Sequence, residues 1–444
     1  MAKRTSLSGF PEWLPSGRIV EQHILDELRT TFELHGFGSL ETRSVEPMHE
    51  LLRKGETSKE VYVLSRLQDR NNPHRSQKDD ELGLHFDLTV PFARYVLENA
   101  GRLVFPFRRY QIQKVWRGER PQDGRFREFT QADIDIVAQG ELAFHHEIEL
   151  PLVMLDALGR LPIPRATILV NNRKIVQGYC QGIGVENIDD ALRAIDKLDK
   201  IGDDGVRAEM AKHGIADHQA NQLLALAAIR GTTEVIEQVR QLGVSTPLMD
   251  EGLSELDALL METEQRVPGG VVADLKITRG LDYYTGTVYE TILEGHENLG
   301  SICSGGRYDS LASDGKRTFP GVGLSIGVSR LVSRILADNL VEASRSVPTC
   351  VLVAVNSEDT RGESNRIADQ LRARGIPVEV SPSSAKFGKQ IRYADRRGIP
   401  FVWFIDEDGN SAIKDIRSGE QQSADPSMWV PSDEDRYPTV RIVG

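Results

Sequence analysis

At 444 residues the chain is too long for one compact core, so two or three domains are expected. A hydrophobic share of 39% beside 27% charged residues describes a soluble globular protein, and no apolar run approaches the roughly 20 residues that span a bilayer. The net charge of -12 speaks against a surface coated for non-specific nucleic-acid binding, and three widely spaced cysteines (Cys180, Cys303, Cys350) fit a reducing cytoplasm better than a disulfide framework or a zinc cage.

The opening MAKRTSLSGFPEWLP is basic but has no apolar core, so it does not read as a secretory signal. Ser16 is placed to cap a helix whose apolar positions Val20, Ile24, Leu25, Leu28 and Phe32 recur at helical spacing, and Gly36 ends it. Gly38–Pro47 and a strand-rich region reaching about Val137 follow. From about Asn171 to Arg266 the texture turns helical, punctuated by Gly214, Gly231 and Gly243, and strand-like sequence resumes from Val271 through Tyr289. A helical insertion within a β-rich domain is the natural reading. After a linker-like SRSVP (344–348), VLVAV (351–355), Ile376–Val380 and FVWFID (401–406) alternate with helical stretches ending at Gly375 and Gly398. That order implies a parallel sheet in a small α/β domain. Its second helix carries Lys386, Lys389, Arg392, Arg396 and Arg397, a pattern shared by solvated faces and by RNA-binding ones.

Two stretches carry chemistry. Between Arg109 and Val137, two strand-like runs flank a turn at Arg120–Gly124. Side chains alternate along a strand, so Gln113, Arg117 and Glu119 share one face of the first run. Arg125, Arg127, Phe129, Gln131, Asp133 and Asp135 share one face of the second. A merely solvated face would favour lysine and glutamate; arginine with amides and an aromatic suits a nucleotide, by bidentate phosphate contacts and base stacking. The second stretch holds TRGLDYYTGTVYE and SICSGGRYD within residues 278–309, each joining glycine, arginine and tyrosine. This reads either as a pocket for a small, charged, planar ligand or as two ordinary turns. GVGLSIG (321–327) has the wrong spacing for a dinucleotide motif, GSICSGGR (300–307) has arginine where a P-loop requires GKS or GKT, and HHEIE (145–149) lacks the second histidine of a zinc helix.

WRGERPQDGRFREF (116–129) resembles motif 2 of class II aminoacyl-tRNA synthetases, FPGVGLSIGVSRL (319–331) resembles motif 3, and the first helix with the run to Pro47 resembles the dimer-forming motif 1. RGLDYY (279–284) and SGGRYD (304–309) resemble the signature motifs of histidyl-tRNA synthetases in particular. The resemblance covers nearly the whole chain. It implies an α+β catalytic domain (1–170 and 267–343) built on an antiparallel sheet flanked by helices, a helical insertion (171–266) and a C-terminal α/β anticodon-binding domain (348–444).

It also implies ATP-dependent activation of L-histidine followed by transfer to histidine tRNA, in a cytoplasmic homodimer with no membrane partner. Magnesium would accompany ATP, with no protein-bound zinc or other resident metal. By the resemblance, Arg117 and Arg279 serve catalysis at the α-phosphate and the histidine carboxylate. Arg125 and Arg330 hold the γ-phosphate end, Phe129 stacks on adenine and Glu119 meets its edge. Asp87, Thr89 and Gln131 surround the α-amino group; Asp135 and Tyr284 read the imidazole with Tyr283 beside them. Gln122 faces the tRNA acceptor end, and Lys386, Lys389 and Arg392 face the anticodon stem. Ser329 stands where many relatives carry a motif 3 glutamate. Competing readings are a non-catalytic histidine sensor of this fold and another class II synthetase with the same type of anticodon domain.

Overall fold

A computed structural model describes residues 7–52, 61–67, 81–121, 124–280, 283–406 and 409–443. Helix α1 runs from Pro15 to Leu34, one residue ahead of the expected Ser16 cap. Proline at the first helical position has φ already set and no N–H to waste, while the Leu14 carbonyl accepts the first helical bond from Arg18 at 2.9 Å. The apolar stripe Val20, Ile24, Leu25, Leu28 and Phe32 is buried as its spacing demands, and Gly36 turns the chain at φ +76°.

The chain divides into two compact units, residues 1–11 with 24–334 and residues 12–23 with 335–444. In the first, beside a small three-stranded sheet of Val45–Pro47, Val63–Leu64 and Leu82–Leu84, nine described strands are β1 (Gly38–Ser39), β2 (Phe107–Trp116), β3 (Glu128–Val137), β4 (Ala166–Asn172), β5 (Arg230–Gly231), β6 (Val271–Asp274), β7 (Thr287–Leu293), β8 (Cys303–Tyr308) and β9 (Gly321–Gly327). They form one sheet in the order β1-β2-β3-β9-β8-β7-β4-β6-β5, antiparallel except for the β1–β2 and β4–β6 pairs. Helices occupy most of the chain between β4 and β6, from Arg173–Gly182 to Pro247–Arg266.

Two described helices break the expected run of strands before Val137, a single turn at Met48–Leu51 and the longer α2 (Thr89–Asn99). Val90, Ala93 and Val96 keep a helical period there, and Pro91 sits in the first turn, where its missing N–H costs nothing. Phe92, Ala93 and Val96 pack with Val137, Tyr308 and Phe319, so α2 lies over one face of the sheet. Among the described residues of 275–286 the chain is likewise irregular, not strand.

In the second unit, β10 (Val351–Val353) lies parallel to β11 (Val378–Val380) and β12 (Phe401–Ile405), with helices α3 (Arg361–Ala373) and α4 (Phe387–Arg397) between them. Two antiparallel strands, β13 (Ser411–Asp415) and β14 (Gln421–Ser423), extend the sheet beyond β12. β14 is polar and exposed, and β13 buries only Ile413, so neither has much alternation to announce it.

Candidate functional site

The polar face of the β2–β3 hairpin is buried, which is the central fact of the site. Across the ladder Arg109 faces Asp135, Gln111 faces Asp133 and Gln113 faces Gln131. Arg109, Gln111, Gln131, Asp133 and Asp135 are all less than 9% exposed. β3 is flanked on its other edge by β9, so both edges of the polar row are walled by strands. Burying polar groups costs free energy unless they find partners, so each unsatisfied one asks for an explanation.

Above this row lies a cavity of about 270 Å³. Arg117, Arg125, Arg279 and Arg330 line it with Glu119 and Phe129, and Asp87, Thr89, Gln131, Tyr283 and Tyr284 complete the set expected from sequence. Asp135 sits one layer deeper, against a narrower recess of about 20 Å³ shared with Thr89, Tyr284 and Tyr308. Gln122 lies outside the described residues.

The cationic end is preorganised. Arg330 donates from Nη1 to the Ser301 carbonyl at 3.0 Å and from Nη2 to the Leu299 carbonyl. Burial lowers its pKa, and the positive charges of Arg125 and Arg279 push in the same direction. Arg125 meets Glu119 at 3.4 Å, while Arg279 ion-pairs with Glu290 and stands 3.8 Å from Asp196. Arg117 donates from Nε to the Phe86 carbonyl at 3.0 Å, and its guanidinium lies 5.1 Å from the centre of the Phe129 ring. Guanidinium groups that repel one another in a partly dry cavity favour an anion with several charged oxygens.

At the other end the carboxylates differ in state. Asp135 meets Arg109 at 2.6 Å and accepts the Tyr308 hydroxyl at 2.7 Å, so this carboxylate is already committed to the protein. For Asp133, burial pushes the pKa up to about 7, with Arg109 pulling it down and Asp135 pushing it further up. Among the described residues Asp133 Oδ1 and Gln131 Oε1 have no hydrogen-bond partner, although Gln131 Nε2 donates to Ser325 Oγ at 2.6 Å. Asp87 accepts from the Val90 amide at 3.0 Å and so holds the start of α2. Ser329 accepts from the Thr130 amide at 2.9 Å, which ties β3 to the residue before Arg330.

The two glycine–arginine–tyrosine segments divide their labour. Gly280 has φ +67°, and a Cβ there would fall 2.0 Å from the Tyr284 ring. Its freedom therefore makes room for Tyr284, whose ring centre is 4.2 Å from that of Tyr283. Arg307, in the second segment, does not line the cavity; it binds Glu147 at 2.7 Å and Asp309 at 3.0 Å. Gly323 supplies the notch for Asp135, since a Cβ there would lie 2.1 Å from its Oδ1.

Sequence reasoning passed over Asp133, Tyr308 and Arg109. Asp133 shared its face with Gln131 and Asp135, which was signal enough; Tyr308 stood inside the quoted SGGRYD; Arg109 announced itself only through cross-strand register.

In the second unit Lys386, Lys389, Arg392 and Arg396 are exposed on or beside α4. Arg397 is drawn aside to Glu379 at 2.7 Å.

Comparison with known proteins follows this geometry. A family model described as histidyl-tRNA synthetase matches residues 9–331, and one described as anticodon binding domain matches residues 349–428. The chain is 58% identical to the histidine--tRNA ligase of Micrococcus luteus and 57% identical to that of Cutibacterium acnes, each alignment covering 99% of both chains. The crystal structure of histidyl-tRNA synthetase from Nostoc sp. PCC 7120 superposes with a TM-score of 0.84 at 34% identity, over 96% of this chain and 97% of that one. A Bacillus halodurans protein described as an ATP phosphoribosyltransferase regulatory subunit/histidyl-tRNA synthetase shares the fold, with a TM-score of 0.72 at 22% identity. A match that runs through both units, at such identity over the full length, makes this chain a member of the histidyl-tRNA synthetase family.

Proposed function

We propose that the chain ligates L-histidine to its cognate tRNA through a histidyl-adenylate, releasing pyrophosphate and then AMP. The observation that carries this reading is one cavity with arginines at one end and buried carboxylate, amide and tyrosine groups at the other. In the first step a carboxylate oxygen of histidine attacks the α-phosphorus, and the bond to the β-phosphate oxygen breaks. Charge builds on phosphate oxygens in that transition state, and fixed cations lower its energy without having to reorganise. Arg117 and Arg279 serve the α-phosphate and the amino-acid carboxylate, and Arg125 and Arg330 the departing pyrophosphate. Phe129 offers adenine a stacking face and Glu119 its edge, while Asp87, Thr89 and Gln131 receive the α-amino group. Tyr283, Tyr284 and the layer behind them receive the imidazole.

Among the described residues no three carboxylate, histidine or cysteine side chains gather as metal ligands. Magnesium is counted with the substrate, as Mg-ATP. Residues 1–170 with 267–343 form the catalytic domain in this reading, 171–266 the helical insertion and 348–444 the anticodon-binding domain. The active species is a cytoplasmic homodimer joined through the α1 region, and Gln122 faces the acceptor end of the tRNA. No described helix is long and apolar enough to cross a membrane.

Exchange of labelled pyrophosphate into ATP tests the reading directly. Histidine, and no other amino acid, should support it. Absence of exchange with histidine would favour a histidine-binding regulator, a reading opposed by the retained arginine set and the anticodon-domain match.

For the second unit, Lys386, Lys389 and Arg392 position the RNA by its phosphates. Reversing the charge of Lys386 and Lys389 together should raise KM for tRNA about 10-fold or more in aminoacylation, less so at high salt, and leave histidine-dependent exchange unchanged. An equal loss of exchange would refute this placement.

A further inference from the structure

Arg279, Tyr283 and Tyr284 line the cavity together, yet the described residues that mount them, between β6 and β7, are irregular. A catalytic guanidinium helps only if its backbone is held before the substrate arrives, because a misplacement of about 1 Å can cost about 100-fold in rate. The holding groups lie at the end of β4, two residues apart. Asn171, fully buried, donates from Nδ2 to the Leu275 carbonyl at 3.1 Å and to the Ile277 carbonyl at 2.9 Å. Arg173, first residue of the helix that follows, donates from Nη1 to the Tyr284 carbonyl at 2.9 Å and to the Gly280 carbonyl at 3.4 Å. One side chain secures the chain ahead of Arg279 and the other the chain behind it.

We propose that Arg173 is a positioning residue for adenylate formation, a clamp on the Gly280 and Tyr284 carbonyls that fixes the backbone carrying Arg279, Tyr283 and Tyr284.

The clamp is itself braced. Asn172 caps the helix by accepting from the Lys174 amide at 3.0 Å, and the Arg173 amide donates to the Gly286 carbonyl at 2.9 Å. Its Nη2 reaches Asp189 at 3.4 Å, on the next helix of the insertion (Ile188–Ile195). The side chain is 12% exposed and does not line the cavity, so it acts through the main chain it holds. Neighbouring contacts run the same way: Thr278 donates to the Leu192 carbonyl at 3.1 Å, and Lys276 meets Asp199 at 3.0 Å. Residues on both sides of Arg279 are thus fastened to the helical insertion, which becomes part of the frame for catalysis. A planar fork suits the task better than an ammonium point charge, since it serves two carbonyls and a carboxylate in fixed directions.

The inference deepens the proposed function and rests on it. The test measures histidine-dependent pyrophosphate exchange for Arg173→Met, which keeps an unbranched side chain without a donor, and for Arg173→Lys. The methionine variant should lower kcat on the order of 100-fold while KM for ATP changes less than about 2-fold, because Glu119, Arg125, Phe129 and Arg330 stand outside this stretch. Lysine should recover no more than about 10-fold of that loss, since it keeps the charge but not the fork. In a double-mutant cycle, Arg173→Met added to Arg279→Ala should cost less than about 5-fold further, because the group it positions is already gone.

A residue that merely supports the fold would cost the same in both backgrounds, and that result overturns the proposal. So would unfolding of both single variants, and so would wild-type kcat in Arg173→Lys, which would leave bare charge as the cause. If the wild-type protein shows no histidine-dependent exchange, the functional reading itself fails; wild-type kcat in Arg173→Met defeats only the assignment to Arg173.

Discussion

Asp135→Ala is expected to cost about 3–5 kcal/mol of folding stability, enough to populate the unfolded chain near physiological temperature. Arg109 is fully buried, and its 2.6 Å contact with Asp135 is the carboxylate contact that balances its charge. Its Nε and Nη1 have no hydrogen-bond partner among the described residues, and a 3.4 Å bond from Nη2 to the Leu88 carbonyl is weak support for a buried guanidinium. The Tyr308 hydroxyl would lose its acceptor as well. From sequence alone, this substitution reads as a selective loss of histidine use. The geometry makes it a substitution that damages the floor of the site before any substrate arrives. Urea denaturation checks the claim: an unchanged midpoint would sink it. Replacing both partners, as Arg109→Met with Asp135→Leu, should recover most of the lost stability while leaving the enzyme inactive.

Arg279→Ala should behave in the opposite way, with kcat for pyrophosphate exchange falling on the order of 100- to 1000-fold and the fold little affected. The side chain is 56% exposed, so its pairing with Glu290 contributes little to stability. Its value lies in where charge develops during adenylate formation. Glu290 would be left without its cation in a site where burial already raises its pKa, and it would respond by keeping a proton. The folded variant then binds a proton that the unfolded chain releases. Its stability should therefore decline as pH rises beyond the ordinary glutamate range. A variant with wild-type kcat would remove Arg279 from the chemistry.

How far the sequence revealed these features depended on how local each signal was. The apolar stripe of α1 and the parity of the β2–β3 hairpin are local, and both read correctly. The three parallel strands of the second unit were visible for the same reason. Helix α2 escaped because its helical period is packed into 11 residues beside a proline, inside a region dominated by strands. Strands β13 and β14 escaped because one buries a single isoleucine and the other is wholly exposed and polar, which leaves little alternation to follow.

At the site, arginines and tyrosines were found because their side chains are unusual for a solvated face. Arg307 showed the limit of that reasoning: like Arg279 it abuts a glycine with tyrosine close by, but it turns to Glu147. Which of two carboxylates on one face is engaged by the protein depends on cross-strand partners, here Arg109 and Tyr308. No single stretch of sequence contains them all.

The glycines of the floor bear on how this enzyme could escape an inhibitor. A side chain at Gly305 would meet the Gly323 carbonyl at 1.9 Å, one at Gly323 would meet Asp135, and one at Gly306 would crowd the Thr287 carbonyl at 2.7 Å. These obstacles are backbone atoms or a carboxylate held by its partners, and none can swing aside. A compound lodged on that floor would press on a surface that single substitutions cannot reshape without displacing a strand. Resistance would have to arise at the rim, where Glu119, Arg125 and Arg279 have room to change and where each change weakens the handling of ATP.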